Sequence, residues 1–183
     1  RCDVVKYYKN ATQYQATFYD SNGTTLAELL VPITINGTTV NGTTNQDGIL
    51  TYNISFVPGE YSITVKNPIT NETATNKITV LPTIIGSDIV MYCRNGTQYL
   101  VTVLDDQGNP LANSSVVFTI NGRNYPRATN ASGIARININ LEAGKHVVNA
   151  TSLRNNETTF NFLTVLPTIS GNNVVKYYKN GTQ

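Results

Sequence analysis

The chain has 183 residues and a net charge of +2, and only 13% of its residues are charged. So small a charge gives no electrostatic footprint for nucleic acid, and no stretch reaches the roughly 18 consecutive apolar residues of a membrane span. We therefore expect no nucleic-acid partner and no membrane span in this fragment.

An internal repeat with a period of 85 residues dominates the chain. When residues 4–88 are laid on residues 89–173 without a gap, 34 of the 85 positions are identical. The opening VVKYYKNATQ (4–13) returns as VVKYYKNGTQ (174–183). Such a period with strand-like content indicates a tandem array of small domains. We predict one repeat over 1–84, a second over 85–169, and the linker and first strand of a truncated third over 170–183, within a longer protein.

Within each repeat, apolar and polar residues alternate along short runs, which is typical of half-buried strands. In the first repeat, the first predicted strand covers Val4 to Lys9 and the last covers Thr73 to Leu81. Between them, inward-facing rows lie at 14–18, 31–35, 50–56 and 61–65, and each row returns in phase in the second repeat. No window shows a helical period.

Turn signals separate these runs in both repeats. Asn36-Gly37 and Asn121-Gly122 are hairpin signals of the type that requires positive φ. Gly-containing turns follow at 45–48 and 58–59. Seven short strands in about 85 residues, with a turn about every ten, predict an all-β fold of tandem Ig-like antiparallel β-sandwiches with about seven strands each.

Asn-x-Ser/Thr sequons recur along the whole chain. In a chain rich in Asn and Thr many arise by chance, but together they suit an exported, extracellular glycoprotein. The candidate N-glycosylation sites are Asn10, Asn22, Asn36, Asn41, Asn53, Asn71, Asn95, Asn113, Asn130, Asn149, Asn156 and Asn180.

The sequence suggests two kinds of covalent crosslink. Cys2 and Cys93 stand near the starts of consecutive repeats, about one domain length apart in an extended array, so we expect two thiols, with a disulfide as the alternative. An isopeptide bond between Lys6 on the first strand and Asn76 on the last is the second candidate. Met91 takes the place of that lysine in the second repeat, so the bond would not recur.

No constellation of catalytic or metal-binding residues recurs. The single histidine, His146, takes the inward position of Tyr61, and no Ser or Cys has a repeated His partner for nucleophilic catalysis. Acidic turns at Asp20 and Asp105 could hold calcium, which needs several converging oxygen ligands, but Asp47 has no acidic counterpart in the second repeat. We therefore predict no enzyme activity, no catalytic or metal site and no cofactor.

The C-terminal segment repeats the first strand without a domain to follow it. Its apolar residues need partners, because a strand with free backbone groups tends to pair. The candidate strand-exchange residues are Val174, Val175, Tyr177 and Tyr178. We expect such strands to pair between successive units, which would make the array stiff and filament-forming.

Several segments carry a resemblance that covers the whole chain. They are the opening Tyr7-Tyr8-Lys9-Asn10, the Asp105-x-x-Gly108-Asn-Pro-Leu turn, Thr119-Ile-Asn-Gly122, and the closing Thr-Val-Leu-Pro-Thr-Ile. In these, the chain resembles the Ig-like repeats of adhesin-like cell-surface proteins of methanogenic archaea. It is also similar, more distantly, to bacterial invasin-type Ig-like domains.

The resemblance implies a surface-anchored structural or adhesive array, such as a stalk, spacer or filament. Its partners would be neighbouring repeats or copies of the same protein. The alternative is a glycan- or protein-binding Ig-like module that contacts host or cell-surface glycans. A sugar site needs a solvent-facing aromatic; Tyr19 is a candidate, although Leu104 replaces it in the second repeat.

Overall fold

A computed structural model describes residues 3–171 and 175–178, and it shows two consecutive β-sandwich domains. The first domain is built from seven strands: β1 (Val4–Tyr7), β2 (Gln13–Thr17), β3 (Leu30–Ile35), β4 (Thr38–Thr43), β5 (Ile49–Asn53), β6 (Gly59–Lys66) and β7 (Thr73–Leu81).

The second domain repeats this order with one strand more. Its strands are β8 (Ile84–Gly86), β9 (Ile89–Tyr92), β10 (Gln98–Val103), β11 (Ser115–Ile120), β12 (Arg123–Ala128), β13 (Ile134–Asn138), β14 (Gly144–Ser152) and β15 (Thr158–Leu166). The predicted all-β fold of tandem Ig-like sandwiches is confirmed.

Each domain packs a five-stranded sheet on a smaller one. In the first domain, β1-β7-β6-β3-β4 lies against β2-β5, and in the second, β9-β15-β14-β11-β12 lies against β8-β10-β13. The predicted inward rows form the cores, because residues such as Val31, Ile63, Tyr99 and Phe118 are at most 1% exposed. Alternation succeeded as a guide because successive side chains in a strand point to opposite faces.

One pairing in each domain is parallel, although we expected antiparallel sandwiches. Val4 pairs with Ile78, and Ile89 pairs with Leu163, so each first strand runs alongside the last strand of its own repeat. The reason is positional: the first strand lies at the sheet edge beside the last strand, and the two run in the same direction. The first strand therefore belongs to its own domain's core sheet.

The linker between the repeats contains a strand that we did not expect. Pro82 follows β7, and Thr83 and Ile84 are already buried at 0% and 1% exposure. Ile84 belongs to the core of the second domain, whereas we expected the first repeat to extend to residue 84. This short strand, β8, pairs with β10 and raises the strand count of the second domain to eight.

The hairpin turns have the backbone that their residues predict. Asn36 and Gly37 have φ of 45° and 86°, and Asn121 and Gly122 have φ of 50° and 75°. Two consecutive positive φ values match the right-handed twist of the flanking strands, which is why Asn-Gly suits this turn. The turns join β3 to β4 and β11 to β12, as expected.

Candidate functional site

The junction between the domains is formed by the end of β1 and a loop of the second domain. The Asn10 side-chain amide donates a 2.7 Å hydrogen bond to the backbone carbonyl of Asp106. The ring of Tyr7 packs so closely on Gly108 that a Cβ there would lie 2.3 Å from a ring carbon. Gly108 also has φ of +87°, so both the fit and the backbone conformation require glycine.

The same residue types recur at the equivalent positions, where no described domain covers them. Tyr92, the counterpart of Tyr7, is 57% exposed, and Asn95 is exposed as well. Gly23, the counterpart of Gly108, has open space around its Cβ position. The described residues therefore contain one assembled junction, and the same residue types are exposed at Gly23, Tyr92 and Asn95.

A second contact locks the linker onto the second domain. The Thr83 amide donates to the Glu157 carboxylate at 3.0 Å, and the Thr83 hydroxyl donates to the same carboxylate. Glu157 is 7% exposed although it is charged. Asn155 adds a 2.8 Å bond from its amide to the Thr83 hydroxyl. Such a buried carboxylate is stable only because its oxygens are hydrogen-bonded.

A series of side-chain hydrogen bonds runs from the core of the second domain to its surface. The fully buried Tyr99 hydroxyl donates to Asn161 at 2.6 Å, and the Asn161 amide donates to Asp88 at 3.1 Å. Burial, with a further contribution from the Asp88 charge, raises the pKa of Tyr99 to about 12. The Phe162 amide, followed by Asn161, lowers the pKa of Asp88 by hydrogen bonding to its carboxylate.

The first domain has a less complete version of this series of hydrogen bonds. Tyr14 donates to Asn76 at 3.1 Å, and Asp3 accepts from the Lys77 amide. Within the described residues, the buried side-chain nitrogen of Asn76 has no hydrogen-bond partner. The counterpart in the second domain, the Asn161 amide, is bonded to Asp88.

The structure does not bring the two predicted isopeptide residues together. Lys6 pairs in register with Val80, four positions along the strand from Asn76. At about 3.3 Å per residue this is roughly 13 Å along the strand, and the Lys6 amine instead donates to the Ile54 carbonyl at 2.8 Å and the Thr12 carbonyl at 3.1 Å. Burial lowers the pKa of this amine.

The acidic turns serve their own backbones. Asp20 accepts from the amides of Asn22 and Thr24, and Asp105 accepts from those of Gln107 and Asn109. The backbone bond from Asn109 is the main reason that the pKa of Asp105 is lowered. Over residues 3–171 and 175–178, no three His, Cys, Asp or Glu side chains converge as a metal site. In the same part of the chain, no helix has the length and apolarity of a membrane span.

His146 and Cys93 both contact backbone carbonyl oxygens. The His146 ring forms a 2.9 Å hydrogen bond with the Glu142 carbonyl. Cys93 is a half-buried free thiol whose sulfur lies 3.7 Å from the Leu141 carbonyl oxygen, and Cys2 lies outside the described residues. In the part of the chain that the structure describes, the Cys93 sulfur is not hydrogen-bonded to a histidine that would activate it as a nucleophile.

Ten of the twelve sequons place an exposed Asn at the surface. Asn10 is the exception, because it is half-buried and its amide nitrogen, the atom that a glycan would occupy, donates across the junction. Asn180 lies outside the described residues.

Of the predicted strand-exchange residues, Val175, Tyr177 and Tyr178 are 95%, 87% and 91% exposed and lie outside the described strands. Val174 lies outside the described residues. By analogy with β1 and β9, this segment would pair with the last strand of its own repeat.

The sequence reading missed an exposed apolar patch on the second domain. Phe160 and Phe162 project from the outer face of β15 with 66% and 51% exposure, and Val147, the cross-strand partner of Phe162, is 45% exposed. The first repeat has Thr75, Lys77 and Ser62 at these positions. The signal was present, because two phenylalanines occupy outward positions of an alternating strand.

No protein-family model and no curated protein matches the chain. It is similar to the solved structure of invasin, a bacterial integrin-binding protein (14% identity, 89% of this chain and 37% of that one, TM-score 0.39). It is also similar to InvD of Yersinia pseudotuberculosis (20% identity, 94% and 60% coverage, TM-score 0.38) and to domains 4 and 5 of the S-layer protein SbsC (18% identity, 82% and 79% coverage, TM-score 0.33). The chain spans little more than a third of the invasin structure. Its function therefore has to be inferred from its own residues.

Proposed function

We propose that the chain is part of a structural or adhesive repeat array, a stalk, spacer or filament, on an extracellular surface. Its proposed setting is an exported, N-glycosylated protein of the archaeal cell surface, with neighbouring repeats or further copies as partners. The supporting features are the sequons and the 85-residue period.

The observation that carries this proposal is the junction. Tyr7 and Asn10 join the first domain to Gly108 and Asp106 of the second through direct contacts. The counterparts of the tyrosine, asparagine and glycine are present on the other repeat. A contact that every unit can make with the next is what a regular array requires, whereas a single binding site would need no such recurrence.

Electron microscopy of native cells, labelled with antibodies against the 183-residue chain, tests the proposal. We expect label on thin rods or filaments that project from the surface. Label confined to the cell interior, or to globular particles without rods, would contradict it.

A second candidate function is binding of a glycan or a protein, and the Phe160–Phe162 patch favours it. Exposed aromatic rings stack on the apolar faces of sugars and also anchor protein partners. Tyr19 offers a weaker site, because it is 49% exposed and is not repeated.

Replacement of the two rings by the residues of the first repeat tests this alternative. Phe160→Thr with Phe162→Lys keeps residues that the fold already accepts at these positions. On a glycan array, or in adhesion of coated beads to cells, loss of binding in this variant supports the binding module. Unchanged binding excludes the patch as the site.

A further inference from the structure

Two neighbouring rows of side chains form a block of four on the outer face of the second domain's larger sheet. Asn149 of β14 lies directly opposite Phe160 of β15, and Val147 lies opposite Phe162 in the next row. The four side chains share one face, because residues two apart in a strand point the same way. Directly opposed residues have Cβ atoms about 5 Å apart, so their side chains are in contact range. We call these four residues the outer block.

Three members of the outer block are apolar and exposed. The exposed fractions of Val147, Phe160 and Phe162 are 45%, 66% and 51%. Contact of apolar side chains with water is unfavourable, and three of them side by side on a sheet face indicate a surface that is covered in the working protein.

The fourth member is a candidate glycan acceptor. Asn149-Ala150-Thr151 is an Asn-x-Thr sequon, and Asn149 is exposed. Within the described residues, its side-chain amide forms no hydrogen bond, whereas the amide of Asn10 donates across the junction. The Asn149 nitrogen is therefore open to modification, and it lies beside the three apolar side chains.

The first repeat differs at all four positions of the outer block. The equivalent residues are Ser62, Thr64, Thr75 and Lys77, which are all polar and include no sequon. Thr64 and Thr75 share a 2.8 Å hydrogen bond between their hydroxyls, and Lys77 forms a 2.6 Å ion pair with Glu60. The rings and the sequon are thus present together in one domain and absent together from the other. This joint difference links the rings to the asparagine.

We propose that Asn149 carries an N-linked glycan whose first sugar packs on the ring of Phe160 and covers the outer block. The inference rests on the N-glycosylated extracellular setting proposed above and gives one of its sequons a structural role. The occupant of the apolar surface is then part of the same molecule.

The modification needs a donor sugar, and an oligosaccharide joined through its anomeric carbon to a lipid phosphate supplies it. The Asn149 side-chain nitrogen forms a bond to that anomeric carbon, and the bond from the carbon to the phosphate oxygen breaks. The lipid phosphate leaves with the electron pair, and the amide releases one proton to the solvent. No oxidant or reductant is involved.

The surroundings of Asn149 direct the sugar towards β15. One face of a pyranose ring presents C–H bonds, and these pack on the electron-rich face of an aromatic ring. Phe160 provides such a ring directly opposite Asn149, and Phe162 lies diagonally from it in the next row. Val147, two residues earlier in β14, borders the same space.

The opposite side of Asn149 offers no comparable surface. There the cross-strand neighbour is Thr119 of β11, a short side chain. Its hydroxyl donates a 2.8 Å hydrogen bond to the Asn124 side chain, away from Asn149. A sugar on Asn149 therefore has apolar contacts on the β15 side alone.

The first test is mass spectrometry of glycopeptides from the native protein. We expect most copies to carry a glycan on Asn149. An unmodified Asn149 in a protein whose other sequons are modified would overturn this inference and leave the glycosylated array intact. A native protein without any glycan would overturn both this inference and the glycosylated setting. Rods on cells test the array separately.

The second test measures whether the glycan and the ring stabilise each other. The 183-residue chain is produced in a eukaryotic host that adds N-linked glycans, with Asn149 or Asn149→Gln combined with Phe160 or Phe160→Thr. Thr75 occupies the latter position in the first repeat, so the fold accepts threonine there. Peptide mass confirms which preparations carry the sugar on Asn149, and the melting temperature of the second domain is followed by NMR on its own amide signals.

With Phe160 present, the glycan should raise the melting temperature of the second domain by about 2–4 °C, because a sugar–ring contact adds to its stability. With Phe160→Thr the increase should fall below about 1 °C. Equal increases in both backgrounds would overturn the proposed packing, because they would assign the effect to the glycan alone.

The third test observes the contact directly. In the NMR spectrum, the ring current of Phe160 should move C–H protons of the first sugar on Asn149 upfield, and Phe160→Thr should abolish that shift. A sugar on Asn41 is the control, since Asn41 is exposed on β4 and lies opposite Pro32, so its protons should not respond to Phe160→Thr. Sugar protons on Asn149 that are the same in both backgrounds would overturn the proposal.

Discussion

Thr83 donates two hydrogen bonds to the Glu157 carboxylate, one from its amide and one from its hydroxyl, and both residues are almost fully buried. The pair attaches Thr83, which directly follows Pro82, to the loop that joins β14 to β15. The entry of the chain into the second domain is thereby set by one carboxylate.

Glu157→Gln should destabilise the second domain by about 1–3 kcal/mol, because an amide supplies one acceptor oxygen where two are used. Chemical denaturation followed by hydrogen exchange, which resolves the two domains, measures this. Glu72→Gln is the matched control, and we expect it to change the stability of the first domain by less than about 0.5 kcal/mol because Glu72 is exposed. Equal effects of both changes would show that the Thr83 contact contributes nothing.

The second domain should lose stability between pH 10 and pH 12. An unfolded tyrosine loses its proton near pH 10, whereas the pKa of folded Tyr99 is raised to about 12. Within that window the unfolded chain binds fewer protons, so a rise in pH favours unfolding, by up to about 2.7 kcal/mol for two pKa units. Denaturant midpoints at pH 9, 10, 11 and 12 measure the loss. Tyr99→Phe should flatten this part of the profile, and an unchanged slope in that variant would assign the loss to other groups.

Lys6→Met should stabilise the first domain at pH 7 by about 1 kcal/mol, because it removes a buried charge and Met91 fills the same position in the second domain. Burial lowers the pKa of Lys6 in the folded state, whereas the unfolded side chain keeps its proton up to about pH 10.5. The wild type therefore gains stability as the pH rises from the lowered pKa of folded Lys6 towards 10.5. Over the same range, the stability advantage of the methionine variant shrinks. Urea denaturation at pH 7 and pH 10 measures both effects; a less stable variant at pH 7 would mean that the bonds to Ile54 and Thr12 outweigh the cost of burial.

Gly108→Ala should loosen the junction, because its Cβ would lie 2.3 Å from the Tyr7 ring. Gly23→Ala is a close control with a similar φ, +83° against +87°, but with open space around it. Both changes should cost about 1 kcal/mol of backbone strain in their own domain. Only Gly108→Ala should broaden the distribution of distances between spin labels on the two domains, and the same broadening in both would argue against the Tyr7 contact.

Glycan occupancy should differ between two equivalent sequons. The Asn10 amide nitrogen donates across the junction, whereas Asn95 is exposed. Mass spectrometry of glycopeptides from the native protein should find Asn95 modified more often than Asn10. Occupancy at Asn10 equal to that at Asn95 would mean that the glycan is added before the domains dock.

Much of the fold could be predicted because the same alternation of apolar and polar residues occurs in both repeats. Residues at Tyr14 and Tyr99, or at Ile63 and Val148, are buried in both copies. The hairpins followed from Asn-Gly turns for a local reason, since positive φ is a property of two residues.

The linker strand and the junction could not be predicted in the same way. Burial of Ile84 depends on the edge of β10, and the close approach at Gly108 depends on Tyr7, about a hundred residues earlier in the chain. Four residues of these contacts are identical in the two repeats: Thr83, Glu157, Tyr7 and Gly108. That identity indicated that the positions matter, but it does not say which of them contact each other. The residue types of Lys6 and Asn76 suggested an isopeptide bond, but the parallel register of β1 and β7 keeps the two residues apart.

The Tyr7–Gly108 contact has an evolutionary consequence. Because each repeat carries the tyrosine at one end and the glycine at the other, any copy can follow any other without a new interface. Unequal recombination between repeats could therefore lengthen or shorten the protein in whole 85-residue steps while every joint stays intact. The length of the proposed array would then be a heritable quantity that changes without a single substitution.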